Sequence, residues 1–589
     1  MKKAIKICTL YFVLCILMSP LHAQTTYTDG VFVLNEDWYG HNNSTINFIH
    51  DDGTIDYRVF QAANAGTGYT FGATAQYGTI YGGKLFVISK QEQDPGEAGS
   101  SNHGARIIVA DAQTLQLIAR IETIYTMNGL SAADGRAFCG VDETKGYVST
   151  SNGIFVLDFA TWTITKRIAG TENPLIVGGE VNADGVGPLY HNQCGIMIRT
   201  HDYVFAVQQD KGVLVIDPET DTLVKVIPGC FSEMVQTIGG DLWAAANTNS
   251  AYLNYPYGMA GEEWDGHALY QIDPNTADVK KIWQISSGDA VGIEQTWYAW
   301  TLGGLQASNL EDSVFYYIAS DRFDWFAGKK IIWRKDLRKL GSPDQMAGYA
   351  DNYNWFQYYS GTWTSNKPAN TFYGSSFQMH PYEEKLYAYA YKGNQVAINE
   401  FIYYIFNAAK GGYNPNYYSQ QNYYTPQILI PIRNYWYPAM YIFPDNYAPT
   451  VKSFSQLSAT RGSSYTIPLA GMATDRDNRD VAITKRVIST TKGITARVQH
   501  DTLFVSVASN APQASTVKLR FNSNGKTVDK TLVLSVSNPV ATDIDYTADA
   551  IAPVEYYDLM GRRYSTIDHL PAGVYIRRQG NDTQKIYKQ

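Results

Sequence analysis

The chain has 589 residues, of which 17% are charged, and a net charge of −8; it carries 45 Tyr and 12 Trp. An acidic balance with no Lys/Arg cluster gives no footprint for nucleic acid or an anionic membrane surface. Beyond the N-terminal segment only Cys139, Cys194 and Cys230 remain, which excludes a disulfide scaffold.

Taken in chain order, residues 1–23 read as an export signal. Lys2, Lys3 and Lys6 precede an apolar stretch from Ile7 to Met18, and Leu21-His22-Ala23 supplies a cleavage site. That stretch is too short to span a bilayer. The segment GVFVLNEDWYGHNNSTINFIHDDGTIDYRVF (30–60) then offers three strand candidates.

A phrase follows four times: IIVADAQTLQLIARI, IFVLDFATWTITKRI, VLVIDPETDTLVKVI and LYQIDPNTADVKKIW. Asp111, Asp158, Asp217 and Asp273 each have a Thr three residues later. An Asp opening a type I turn bonds its own backbone, and Pro218 and Pro274 preset φ at the next position. Each copy reads as strand, tight turn, strand. The repeat recurs about every 50–60 residues, enough for four strands and their loops, which indicates a propeller.

Seven units can be marked: 30–60, 72–123, 134–171, 190–229, 232–285, 302–347, and a last one from 375 with a Tyr/Asn-rich insertion. A ring of sheets must hide its two ends. The segment around Tyr437–Phe443 is therefore expected to complete the sheet begun at Gly30.

The expected fold class is all-β: a seven-bladed propeller over 24–446, a small antiparallel Ig/cadherin-like sandwich over 447–538, and a short β tail over 541–589. Asp475, Asp477 and Asp480 are read as a solvated turn, because the Gly and distal Glu of an EF-hand loop are missing. The tail, with its two short strands, could also be the last hairpin of the sandwich.

VIDPETDTLVKVIPG resembles the repeat of YVTN/YncE-type seven-bladed propellers. The opening GVFVLNEDWYGHNNSTINFI and the closing WYPAMYIFPDN resemble the DUF5074 group. That resemblance implies binding of cobalamin or another corrinoid at the cell surface, for a TonB-dependent outer-membrane transporter. YYDLMGRRYS, LPAGVYIRR and KIYK resemble the C-terminal sorting domain of type IX secretion, which implies export to the surface. Unlike the cobalamin-binding members, this chain has no lipobox and adds a sandwich and a tail.

Chemistry is sparse. There is no Gly-x-Ser-x-Gly elbow, His-Glu-x-x-His helix or phosphate loop, so the expectation is a non-enzyme without cofactor or metal. His191-x-x-Cys194 is weighed as a metal pair and set below a buried structural thiol. A propeller ligand sits at the channel mouth where inner strands begin. The candidates there are Gln76, Tyr77, Arg136, Gln193, Glu233, Gln306 and Gln378. Trp38, Tyr39, His41 and Asn42 come from the first loop, and Trp297 and Tyr298 from a later one. Flat aromatic faces ringed by amides suit a bulky neutral ligand with polar edges, a corrinoid or a glycan. A protein-adhesive surface module is the third reading, and the bland alternative is that the aromatics pack between blades.

Overall fold

The computed structural model describes residues 26–174, 176, 192–209, 211–246, 268–284, 304–318, 331–339, 345–349, 370–372, 377–392, 400–410, 428–433, 437–539 and 553–589. Residues 1–23, expected to be an export signal, and Trp297, Tyr298 and His191 fall outside them.

The repeated phrase folds as its residues dictate. Asp111 Oδ1 accepts from the Gln113 and Thr114 amides at 3.0 and 2.8 Å and from the Thr114 hydroxyl at 2.9 Å. Asp158 repeats the pattern on Ala160 and Thr161, and Asp273 takes the amides of Asn275 and Thr276. The next residue is left-handed each time: Leu115, Trp162, Asp221 and Ala277, with φ between 53° and 57°. A type I turn followed by one left-handed residue reverses the chain without splaying a twisted hairpin.

Each phrase contributes the third and fourth strands of an antiparallel sheet. The sheets follow one another as a β-propeller. The second to fifth run from inner strands Ala73–Tyr81, Gly135–Gly140, Cys194–Arg199 and Phe231–Gln236 to outer strands ending at Ile121, Arg167, Pro228 and Gln284. The sixth opens with Leu305–Ala307; in the seventh, Asn370–Phe372 and Gln378–Met379 share the inner edge.

The first sheet holds Gly30–Asn35, Thr45–His50 and Ile55–Asp56, and its innermost strand is Pro438–Ile442. Phe32 pairs with Ile442 and Leu34 with Met440, so the end of the domain closes its beginning, as the three-strand opening segment requires.

The middle strands are apolar on both faces because each face belongs to a different core. Leu85 and Val87 join Phe32 and Phe48 between the first two sheets, while Phe86 turns the other way and stacks on Phe138 at 4.1 Å. The same wedge recurs around the ring and ends in a tyrosine layer, Tyr389, Tyr403 and Tyr441, between the seventh sheet and the first. Outer strands lie half in water, and no residue of Thr163–Arg167 is fully buried.

The sandwich joins Leu457–Thr460, Lys526–Ser537, Ala514–Ser523 and Thr484–Thr490 against Ser464–Pro468, Thr502–Val507 and Ile494–Gln499. It is not purely antiparallel: Leu457–Thr460 runs parallel to Leu534–Ser537. Nor is Asp477 on a solvated turn. It is 6% exposed, and its carboxylate accepts from the linker amides of Asn446 and Tyr447 at 2.5 and 2.7 Å. The tail forms its own four-stranded sheet from Val554 to Lys588, pairing with no strand of the sandwich. Among the described residues no helix is long and apolar enough to cross a membrane.

Candidate functional site

Inner strands contact one another in ring order and enclose a channel. All run the same way, so every strand start faces one end and every strand finish the other. A cavity of about 370 Å³ occupies the channel; Gln76, Tyr77, Glu233, Gln306, Gln378 and Met440 are among its walls.

The finishing end is covered by the sandwich. Arg479 donates to Gln236 O at 2.6 Å, to Asn309 Oδ1 at 2.5 and 2.9 Å and to Ala307 O at 3.4 Å, and Asn478 and Ala482 line the cavity beside it. Around this seal Asn524 bonds Ile80 O at 2.8 Å, Arg520 meets Glu143 at 2.7 Å, and His500 meets Asp202 at 2.8 Å. Lys526 contacts Asp445 at 3.1 Å, yet burial still pushes the Asp445 carboxyl up to about 6. A second cavity of about 240 Å³ lies under the sandwich, against Tyr81, Cys139 and Asn522.

The starting end is built differently. Register slips between Ala75 and Tyr77 and between Gly135 and Ala137, so Gln76 and Arg136 are each the extra residue of a β-bulge. Similar slips occur between Cys194 and Met197 and between Phe231 and Glu233. A bulge inserts one residue and re-aims its side chain, which here places polar groups on an otherwise apolar strand. Gln76 is 3% exposed and Gln193 fully buried, and neither polar atom of either carboxamide has a partner among the described residues. Such a group is costly to leave unmatched, and its presence calls for an explanation.

Arg136 and Glu233 are also buried. Burial, then the positive charge of Arg136, holds the Lys90 amine well below its ordinary range, while Glu36 and Asp134 oppose the shift. Arg106 pairs with Asp134 at 2.8 Å and with Glu92 at 3.0 Å, fixing the approach to the third sheet.

The loop after Asn35 reaches this same end, since the Glu36 amide bonds Tyr437 O at the start of the closing strand. It is tied down from within. Gly40 N donates to Asp94 Oδ2 at 2.9 Å, Asp94 N to Asn43 Oδ1 at 2.7 Å, and Thr45 Oγ1 to Asp37 Oδ2 at 2.7 Å. Asp37 is left-handed at φ 58°, and burial pushes its carboxyl up to about 7. The aromatics stay outside: Trp38 is 38% exposed, Tyr39 48%, and the Trp38 ring lies 4.5 Å from His41. Asn42 is half-buried on the same loop.

The polar residues read together from the sequence therefore separate. Gln76, Arg136 and Gln193 sit near the starting end. Gln306 Oε1 instead accepts from Met379 N at 2.9 Å and Gln378 Oε1 from Tyr441 N at 2.6 Å, stitching the sixth sheet to the seventh and the seventh to the first. Tyr77 is buried in the core between the second and third sheets and touches both cavities. Cys194 is a fully buried thiol, pushed up to about 12 by burial, with Sγ 3.7 Å from Thr171 O.

Arg479, Asn478 and His380 escaped the sequence reading, although all three line the cavity. Burial lowers His380 to about 4, and its Nδ1 accepts from Glu383 N at 3.1 Å. Among the described residues no cluster of His, Cys, Asp and Glu has the form of a metal site.

The family described as a domain of unknown function, DUF5074, matches residues 29–444. No curated protein matches the chain. Of solved structures, a quinoprotein alcohol dehydrogenase-like protein of Bacteroides thetaiotaomicron is 13% identical, over 71% of this chain and 79% of that one, at a TM-score of 0.41. The WD40 domain of Neurospora crassa Pan2 is 11% identical over 74% and 90%, at 0.32. An extracellular domain assigned to a hybrid two-component system of B. thetaiotaomicron is 11% identical over 88% and 56%, at 0.33. These matches speak to neither ligand nor activity.

Proposed function

The chain belongs to the DUF5074 family, and from the channel we propose that it is an exported, non-enzymatic, seven-bladed propeller of the YVTN type that captures a bulky neutral ligand at the cell surface. The observation that carries this reading is the pair of buried carboxamides, Gln76 and Gln193, where the inner strands begin, both without a partner among the described residues. Folding alone gains nothing from an unmatched buried amide, whereas a ligand with polar edges does.

A corrinoid, rimmed with amides, is the leading ligand on the resemblance of the opening and closing segments, with a TonB-dependent transporter as recipient. The sorting tail would then hold the protein at the surface. One observation favours a glycan: Trp38 and Tyr39 are exposed on a braced loop, and sugars stack on such faces.

Titration of the full chain with cyanocobalamin and with a glycan panel tests the proposal. Binding of either, weakened at least tenfold by Trp38→Ala at unchanged melting temperature, is the expected result. Binding of neither contradicts it.

A further inference from the structure

The channel cavity has a feature that the mouth does not explain. Its walls are largely apolar, with Ile196, Ile198, Leu305 and Met440 from three inner strands, and its floor is Asn478, Arg479 and Ala482 of the sandwich. The other glutamines on its wall are committed: Gln236 Nε2 to Gly240 O at 3.0 Å, and Gln306 and Gln378 to neighbouring strands. Arg479 makes its bonds to neutral oxygens of the fifth and sixth sheets. Gln76, set into the channel by its bulge, is the exception, with neither its oxygen nor its nitrogen matched among the described residues.

A carboxamide presents one acceptor and one donor side by side. Its complement is a group with the same pair reversed: an amide, a lactam or a pyrimidine edge. A carboxylate matches only the nitrogen and an ammonium only the oxygen, and either would shed its hydration against an apolar wall. The charged wall residues, Glu233 and Arg479, are opposite in sign and favour neither. About 370 Å³ is at the small end of ligand sites, room for one ring or one amide arm but not for a whole tetrapyrrole or oligosaccharide.

We infer that the chamber between Gln76 and the sandwich floor is a binding site for a neutral amide- or lactam-bearing group. The inference rests on the proposed ligand-binding role and adds the part of the ligand that enters the channel.

The test uses the full chain with 2-pyrrolidone, uracil and nicotinamide as probes, read by ligand-observed saturation-transfer NMR, together with Gln76→Leu and Gln76→Met. At least one probe should bind the parent, its signal should fall at least fivefold in both variants, and both should melt no lower than the parent, because an unmatched amide has been removed. No probe binding, binding that survives both substitutions, or a lower melting temperature in both variants overturns the inference; the last would show a carboxamide already satisfied in the ligand-free protein. Cyanocobalamin or glycan binding that persists alongside any of those results would leave the mouth reading standing alone. Probe binding without any whole ligand would spare the chamber and remove that reading.

Discussion

Where the sandwich covers the channel, the seal is built from specific polar contacts. Arg479 reaches two sheets, Asp477 holds two linker amides, and Asp445 faces Lys526. Where the inner strands begin, Gln76 and Gln193 are buried without partners among the described residues, and Trp38 and Tyr39 stand partly in solvent on a loop braced by Asp94. The same strands build both ends. Single unmatched atoms occur elsewhere, but a carboxamide with both its oxygen and its nitrogen unmatched among the described residues marks a place that awaits something else.

The comparison depends on a closed ring, and breaking closure should have the largest effect. Tyr441 is 1% exposed on the closing strand and stacks on Tyr389 at 5.0 Å. Tyr441→Ala should cost about 3–5 kcal/mol, as truncation of large buried aromatics does. Chemical denaturation checks this; a loss under about 1 kcal/mol would mean that the strand does not close the ring.

The sealed end comes next. Arg479→Ala strands three oxygen acceptors and should cost about 2–3 kcal/mol. The sandwich should then lift more often and expose Cys139, whose thiol burial holds up to about 12. Native-state alkylation, with the modified cysteine identified by mass spectrometry, should accelerate at least tenfold at Cys139 and stay unchanged at Cys194. Equal acceleration at both would point to global unfolding.

The loop end carries a pH signature. The folded state raises the Asp37 carboxyl to about 7 from an ordinary 3.8, so it holds the proton more tightly than the unfolded chain. Stability from this group is present below about pH 4 and lost as pH rises through 7, on the order of a few kcal/mol. Asp37→Asn keeps an acceptor for Thr45 and tolerates the left-handed backbone. It should flatten the fall in melting temperature between pH 5 and pH 8, and a parallel pair of curves would exclude the effect.

Trp38→Ala should change stability least, within about 0.5 kcal/mol, because the ring is already partly in water. Any ligand that stacks there should lose about 2–4 kcal/mol of affinity.

Much of the fold was legible because its causes are local. Asp111 and Thr114 close their own turn, and a run such as Leu85–Ile88 is apolar throughout because it is buried on both faces. The closing strand was legible from what the first sheet lacked. The site was legible in part: polar residues at strand starts could be noticed, but Gln378 and Gln76 look alike in sequence. Their duties differ because the amide of Tyr441 donates to one, and the other has no partner among the described residues. Arg479 could not be found this way, since Asn309 and Gln236 are 170 and 243 residues distant in sequence. A contact between modules leaves no local periodicity.

The central claim is that the unmatched carboxamides where the inner strands begin are kept for a ligand and not for the fold. Gln193, fully buried with both polar atoms unmatched, tests it most directly. Melting temperature and affinity should be measured on the same samples of parent and Gln193→Leu, using whichever of cyanocobalamin or the glycans the parent binds. The account predicts a melting temperature no lower than the parent's and affinity reduced at least tenfold. A variant that melts lower and binds as tightly would contradict it.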